Sequence, residues 1–289
     1  MPNQGMPDHG QARPGDLPKL GIIAGGGELP GRLVAACRRD GRPFFVLALQ
    51  GFAEAEVLGD APLEWVRLGA LGDAFRILHA HKVVQVVMAG GVRRPSLVDL
   101  RPDWRAARMF ARIGMRALGD DSLLRHVVEE VETEGFAVLG PDDILGQEIL
   151  APLGVLGRHA PDEQALADIQ HGVRIARGLG ALDVGQGAVV QQGLVLAVEA
   201  IEGTDAMLGR CAALGREGLG GVLVKTSKPG QERRADLPTI GVATVENAHA
   251  AGLRGIAVQA NGALMVDKAA ITARADALGL FVIGVEIKA

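Results

Sequence analysis

The segment Lys225-Thr226-Ser227-Lys228-Pro229-Gly230-Gln231-Glu232-Arg233-Arg234-Ala235-Asp236-Leu237-Pro238 places ammonium, guanidinium, hydroxyl and carboxylate groups between two apolar runs. Lys and Arg side chains neutralise phosphate oxygens, and a carboxylate such as Asp236 can hold a metal ion or activate water. Lys225, Arg233 and Asp236 are the candidate catalytic groups, with Lys228 and Gln231 as candidate substrate contacts. Pro229 and Pro238 bracket the loop and stiffen it, which lowers its ordering cost. The alternative is a solvated polar connection.

A second acidic group is Glu199-Ala200-Ile201-Glu202-Gly203-Thr204-Asp205, at an expected strand-to-helix junction. Clustered hard oxygens suit Mg²⁺, which takes a few carboxylates together with substrate phosphate oxygens. Glu199, Glu202, Asp205 and Asp236 are therefore the candidate metal ligands, and Gly203 and Thr204 candidate substrate contacts; a solvated surface is the alternative. Gly25, Gly26 and Gly27 follow an apolar run and precede a helix, an arrangement in which backbone amides can meet phosphate. Their spacing is not the strict GxGxxG fingerprint, and Gln50 stands where a ribose-binding acid would end the second strand, so a redox dinucleotide site is disfavoured and a purely structural turn stays open. Arg93, in Ala89-Gly90-Gly91-Val92-Arg93-Arg94-Pro95, sits past another expected strand, where a guanidinium can grip phosphate or simply be solvated. Asp120 and Asp121 either help hold a cation or complement a helix dipole. The histidines show no ligand pair other than His79-x-His81, whose side chains diverge on a helix.

The elements that must position these groups alternate. Leu20–Ala24, Phe44–Leu49, Val83–Ala89 and Phe136–Leu139 are expected strands, with helices from Pro30 to Asp40, Leu71 to His81, Pro102 to Leu118 and Leu123 to Glu134. That alternation predicts a mainly parallel sheet. Periodicity fades from Ala151 to Pro161. Beyond it, a helix from Asp162 to Leu179, a hairpin around Gln191-Gln192-Gly193, a helix from Thr204 to Leu214 and strands at Val222–Lys225, Thr239–Ala243, Ile256–Gln259, Leu264–Val266 and Leu280–Val285 are expected. Val245–Ala251 and Lys268–Leu278 are expected helices. The fold class is thus α/β, with two α/β domains joined by a linker, the first Rossmann-like. Residues 1–18 form an expected disordered tail, 19–150 the first domain, 151–162 the linker and 163–289 the second domain.

Composition bounds the function. Of 289 residues 48% are apolar, enough for large cores, and the net charge of −4 lacks the concentrated basic surface of a nucleic-acid binder. Cys37 and Cys211 are the only cysteines, without a CxxC pair, which predicts an intracellular chain without a disulfide framework or structural zinc. The first 18 residues lack the basic start and apolar run of a signal peptide, and no stretch reaches membrane-spanning length.

Six segments taken in order carry a resemblance: Ile23 to Pro30, Ala89 to Pro95, Gly119-Asp120-Asp121, Gly185-Gln186-Gly187, Glu199 to Met207 and Lys225 to Gly241. From Leu20 to about Glu286 the chain resembles the LpxI-type UDP-2,3-diacylglucosamine pyrophosphatases. It departs from the pattern associated with that family at Glu232 and at Gln259-Ala260-Asn261. The resemblance implies hydrolysis of the UDP diphosphate by water attack on the α-phosphorus, giving UMP and 2,3-diacylglucosamine 1-phosphate (lipid X) in lipid A synthesis. It implies Mg²⁺, with Mn²⁺ as an alternative, and product lipid held between the domains. Asp236 is the residue it singles out, and Gln186 is a substrate contact. A lipid-linked UDP-sugar substrate implies a cytoplasmic protein peripheral on the inner membrane, and a homodimer is compatible with it. The helix from Trp104, in which Met109, Phe110 and Ile113 alternate with Arg105, Arg108 and Arg112, is either a lipid-facing surface or packed on its own domain. Outside that family, the competing expectations are an NAD(P)-binding oxidoreductase and a non-enzymatic UDP-sugar or lipid-binding module.

Overall fold

A computed structural model describes residues 17–92, 100–113 and 120–287. In the first half, β1 (Leu20–Ala24), β2 (Phe44–Leu49), β3 (Leu63–Val66), β4 (Gln85–Ala89) and β5 (Ala137–Leu139) form an all-parallel sheet in the order β3-β2-β1-β4-β5. Strand order reverses between β1 and β4, the kind of point at whose carboxyl ends ligands bind in open α/β sheets. β3 and the short helix Ala55–Leu58 lie in a stretch without a clear sequence period. β3 is an edge strand with Glu64 and Trp65 both exposed, so it offers no alternation to read.

Alternation along the inner strands fills two cores. Leu20, Ile22, Ala24, Val46, Ala48, Val87 and Ala89 face one side, where helix Leu29–Arg39 covers them with Leu29, Leu33, Val34 and Cys37. Phe45, Leu47, Leu49, Val86 and Val138 face the other, against Phe75, Leu78, Val128 and Val131 of helices Leu71–Ala80 and Asp120–Thr133. Asp120 to Ser122 open that second helix.

The second half holds a mixed six-stranded sheet in the order β6-β13-β11-β9-β7-β8: β6 (Gly154–Leu156), β7 (Gly187–Gln191), β8 (Leu194–Val198), β9 (Val222–Lys225), β11 (Gly255–Gln259) and β13 (Phe281–Val285). β9, β11 and β13 run parallel, while β6, β7 and β8 join antiparallel. The interval 151–162, read as a linker, therefore contributes β6 to this sheet. The β7–β8 turn has positive φ at Gln192 and Gly193, the backbone that two-residue hairpins favour. Val222, Val224, Ala257 and Phe281 pack on Ala165 and Ile169 of helix Glu163–Ala181. Leu223, Ile256, Val258 and Val282 face Met207, Leu208, Val245, Ala248 and Ile271 of helices Gly203–Cys211, Val242–Ala250 and Lys268–Leu278. The expected strand over Thr239–Ala243 shrinks to β10 (Thr239–Ile240), because Gly241 is extended and its N–H donates to the Thr244 hydroxyl, which starts a helix at Val242.

The two halves share a core. Ile149, Leu150, Leu237, Leu264 and Val266 are buried in the cluster formed by β1, β2, β4 and helix Leu29–Arg39. β10 pairs in parallel with β12 (Leu264–Met265), Leu150 bridges to Leu264, and Arg32 meets Asp267 at 2.6 Å. Among the described residues no helix is long and apolar enough to cross a membrane.

The carboxyl ends of β1 and β4 are tied together. Gly26 N–H donates to Gly91 O and Gly91 N–H to Gly26 O, both at 2.9 Å. Gly90 has φ +94, and a Cβ there would lie 2.6 Å from Gly26 O. Gly90→Ala should cost at least about 2 kcal/mol, from backbone strain plus the clash; urea unfolding monitored by circular dichroism measures it.

Candidate active site

The loop after β9 passes over the carboxyl edge of the first sheet. Arg234 Cα lies 3.7 Å from where a Cβ on Gly140 would be, and Gly140 directly follows β5. Ala235 packs against the core on one face of that sheet and Leu237 is buried in the core on the other. Asp236, half-buried, sits between them.

Local hydrogen bonds hold that acid. Gln231 Nε2 donates to Asp236 Oδ2 at 2.5 Å and to Gln186 Oε1 at 3.3 Å, while Gln231 Oε1 accepts from Lys228 N–H at 2.8 Å. Gln231 is buried, so its amide is fully used in placing neighbours. Lys228 forms a 2.6 Å ion pair with Asp183. Ser227 donates through both N–H and hydroxyl to Gln259 Oε1, at 2.9 and 2.7 Å. Gln259, which sequence marked only as a departure from the family pattern, thereby ties the loop to the end of β11.

A second polar group grows out of the β7–β8–β9 surface. Lys225 pairs across the ladder with Gly187, and Glu199 N–H donates to Gly187 O at 2.9 Å, so the three lie in one row. Lys225 is 5% exposed and Glu199 7%. Lys225 Nζ donates to Thr204 Oγ1 at 2.7 Å and to Thr239 O at 3.3 Å; Thr204 Oγ1 donates to Glu199 Oε1 at 2.6 Å. Glu199 Oε2 is buried without a hydrogen-bond partner among the described residues. Thr226 N–H donates to Gln186 O at 3.0 Å, which joins this row to the Gln186–Gln231–Asp236 group.

The nominated residues thus divide. Lys225, Thr204 and Glu199 come together, as do Asp236, Gln231 and Gln186. Arg233 is exposed and donates to Asn261 O at 2.9 Å. Gly203, at φ +79, begins the helix that carries Thr204. Gly25 and Gly26 N–H donate to Ala89 O and Gly91 O, and Gly27 N–H meets the exposed Glu54 carboxylate at 3.2 Å, so all three amides have acceptors within the protein. Arg93 lies outside the described residues, and of Asp120 and Asp121 only the backbone is described. Helix Trp104–Ile113 packs on its own domain through Ala106 and Met109; its Arg105 meets Glu134 and lies 4.9 Å from the Phe75 ring centroid, while Trp104 is 82% exposed.

The four nominated metal ligands do not form a cage. Glu202 pairs with Arg210 at 2.7 Å, and that guanidinium holds its carboxyl below the usual range. Asp205 accepts from Asn247 at 2.9 Å. Among the described residues no group of three or more His, Cys, Asp or Glu is placed to hold a metal. The arrangement fits only an ion completed by phosphate oxygens, a mode open to Mg²⁺.

Fold and site together define a two-domain α/β protein with a cation-bearing loop laid over a parallel-sheet edge. The LpxI N-terminal domain model matches residues 19–147 and the LpxI C-terminal domain model residues 152–283. A protein named UDP-2,3-diacylglucosamine pyrophosphatase LpxI, from Caulobacter vibrioides, is 47% identical over 275 residues, covering 93% of this chain and 98% of the relative. The chain belongs to the LpxI family.

Arg234 closes the loop onto the first half, with a bidentate pair to Glu232 at 2.9 Å and a 2.6 Å contact to Glu132. Arg125 adds a 2.8 Å bond to Gly230 O. The Arg234 guanidinium pulls the Glu232 carboxyl below its usual value. A depressed folded pKa means stabilisation that is present above the ordinary glutamate value and lost as pH falls through the folded one. The stability gap between wild type and Glu232→Gln should be largest near neutral pH and close as pH drops below about 4.3; urea midpoints across a pH series test this.

Proposed function

We propose that this chain hydrolyses the diphosphate of UDP-2,3-diacylglucosamine to UMP and 2,3-diacylglucosamine 1-phosphate, a step of lipid A synthesis. The observation that carries it is the match along both halves to a relative named for that activity. Water attacks the α-phosphorus, a new phosphorus–oxygen bond forms, and the bond to the bridging oxygen breaks with the sugar 1-phosphate as leaving group. Asp236, oriented by Gln231, accepts the water proton. Lys225 and the Arg233 guanidinium offset charge on the phosphate oxygens. Asp236 would hold Mg²⁺, with Mn²⁺ as an alternative, and the ion would supply further charge neutralisation.

The substrate is lipid-linked, so the chain works at the cytoplasmic face of the inner membrane. The exposed Trp104 and Arg108 of helix Trp104–Ile113 give it an amphipathic contact for that surface.

Incubation with the diacylated UDP-sugar and Mg²⁺, followed by mass analysis, should yield UMP and the diacyl sugar 1-phosphate; intact substrate would end the proposal. Asp236→Asn should lower kcat by about 10²–10⁴-fold while substrate still binds, and near-normal turnover would remove Asp236 from the chemistry. Chelation should stop UMP release, and activity that survives it would exclude the ion.

A further inference from the structure

We infer that Thr204 and Glu199 are positioning residues that fix the Lys225 ammonium, and that neither is a substrate contact nor a metal ligand. The inference rests on the hydrolase reading above. It begins with a glycine. Gly187 stands between Lys225 and Glu199 in one row of the sheet, on the face that Leu223, Val189 and Ala197 continue as core. A Cβ at Gly187 would lie 2.7 Å from Glu199 Oε2, so the missing side chain is the space the carboxylate occupies. Gly185 is as constrained, since its Cβ would meet Glu199 O at 2.0 Å.

The hydrogen bonds have a forced direction. Thr204 has one hydroxyl proton, and it goes to Glu199 Oε1. The Thr204 oxygen can then meet Lys225 only with a lone pair, which accepts the first ammonium proton. Thr239 O accepts the second. The ammonium is tetrahedral, so two fixed donors fix the third, which has no protein acceptor among the described residues. A buried cation also requires a nearby compensating charge, and Glu199 supplies it one hydroxyl away. The result is a single N–H held in one direction for a phosphate oxygen.

The test uses the full chain with Thr204→Val, Thr204→Ser, Glu199→Gln, Lys225→Met and the Thr204→Val/Lys225→Met double variant. Thr204→Val should lower kcat by about 100-fold, the scale of a small misplacement of a catalytic group, with little change in KM. Thr204→Ser keeps the donor and acceptor and should restore most of the rate. The double variant should be no slower than Lys225→Met alone, because residues acting as one unit are not additive. Glu199→Gln should slow turnover without raising the Mg²⁺ concentration needed for half-maximal rate. Additive losses in the double variant, a Thr204→Ser as slow as Thr204→Val, or a raised Mg²⁺ requirement in Glu199→Gln would each overturn the inference. Nitrogen-15 lysine spectra separate it from the function itself. The Lys225 ammonium signal should be visible and slowly exchanging in the wild type and Thr204→Ser and lost in Thr204→Val, whether or not the chain hydrolyses this UDP-sugar; an unchanged signal in Thr204→Val overturns the inference.

Discussion

Leu237, Leu264 and Val266 come from the second half of the chain but are buried against β1, β4 and helix Leu29–Arg39 of the first. Each fully buried aliphatic side chain contributes roughly 1.5–3 kcal/mol relative to exposure. The contact is what brings a polar loop over the carboxyl edge of a parallel sheet. With Ala235 packed on one face and Leu237 on the other, the residue between them has one place to go, and that residue is Asp236. The acid's location is set by hydrocarbon packing, and hydrogen bonding from Gln231 then sets its orientation.

The charges around it are settled locally. Lys228 meets Asp183, Arg234 meets Glu232 and Glu132, and Lys225 reaches Glu199 through Thr204. The well-buried members need such partners, since an uncompensated interior charge costs several kcal/mol. The more exposed contacts, such as Arg234 to Glu132, add little stability but join the loop to the first half. A loop rich in both signs can therefore be ordered without an ion to organise it.

Much of this was legible in the sequence. Strand β2 and helix Lys268–Leu278 lie over the expected residues, because β2 is an unbroken apolar run and the helix is bounded by the Asp267 cap and Gly279. The helix from Asp162 was legible for the same reason, and the Asp162 carboxylate accepts the Ala165 N–H at 2.8 Å. β3 and β6 were not legible, since both are edge strands with mixed exposure and short length. For the site, residue types in the Lys225–Asp236 loop marked a place for chemistry, but sequence could not say which acids meet. Glu199, Glu202 and Asp205 are neighbours in the chain, yet they turn to Thr204, Arg210 and Asn247. That choice depends on strand register and helix phase. The glycine turn after β1 was opaque for a related reason: amides that look free in sequence donate to groups distant in the chain, Ala89 O, Gly91 O and the Glu54 carboxylate.

Gly187 shows how strongly the site depends on atoms it lacks. An alanine scan passes over existing alanines and treats glycine as a nearly blank position. Here one added methyl would intrude on the carboxylate that balances the interior ammonium. The smallest change available to the chain would be read there as the loss of a charged side chain at the end of the neighbouring strand, so the tolerance map of this region follows the empty volume between strands more than the list of polar residues.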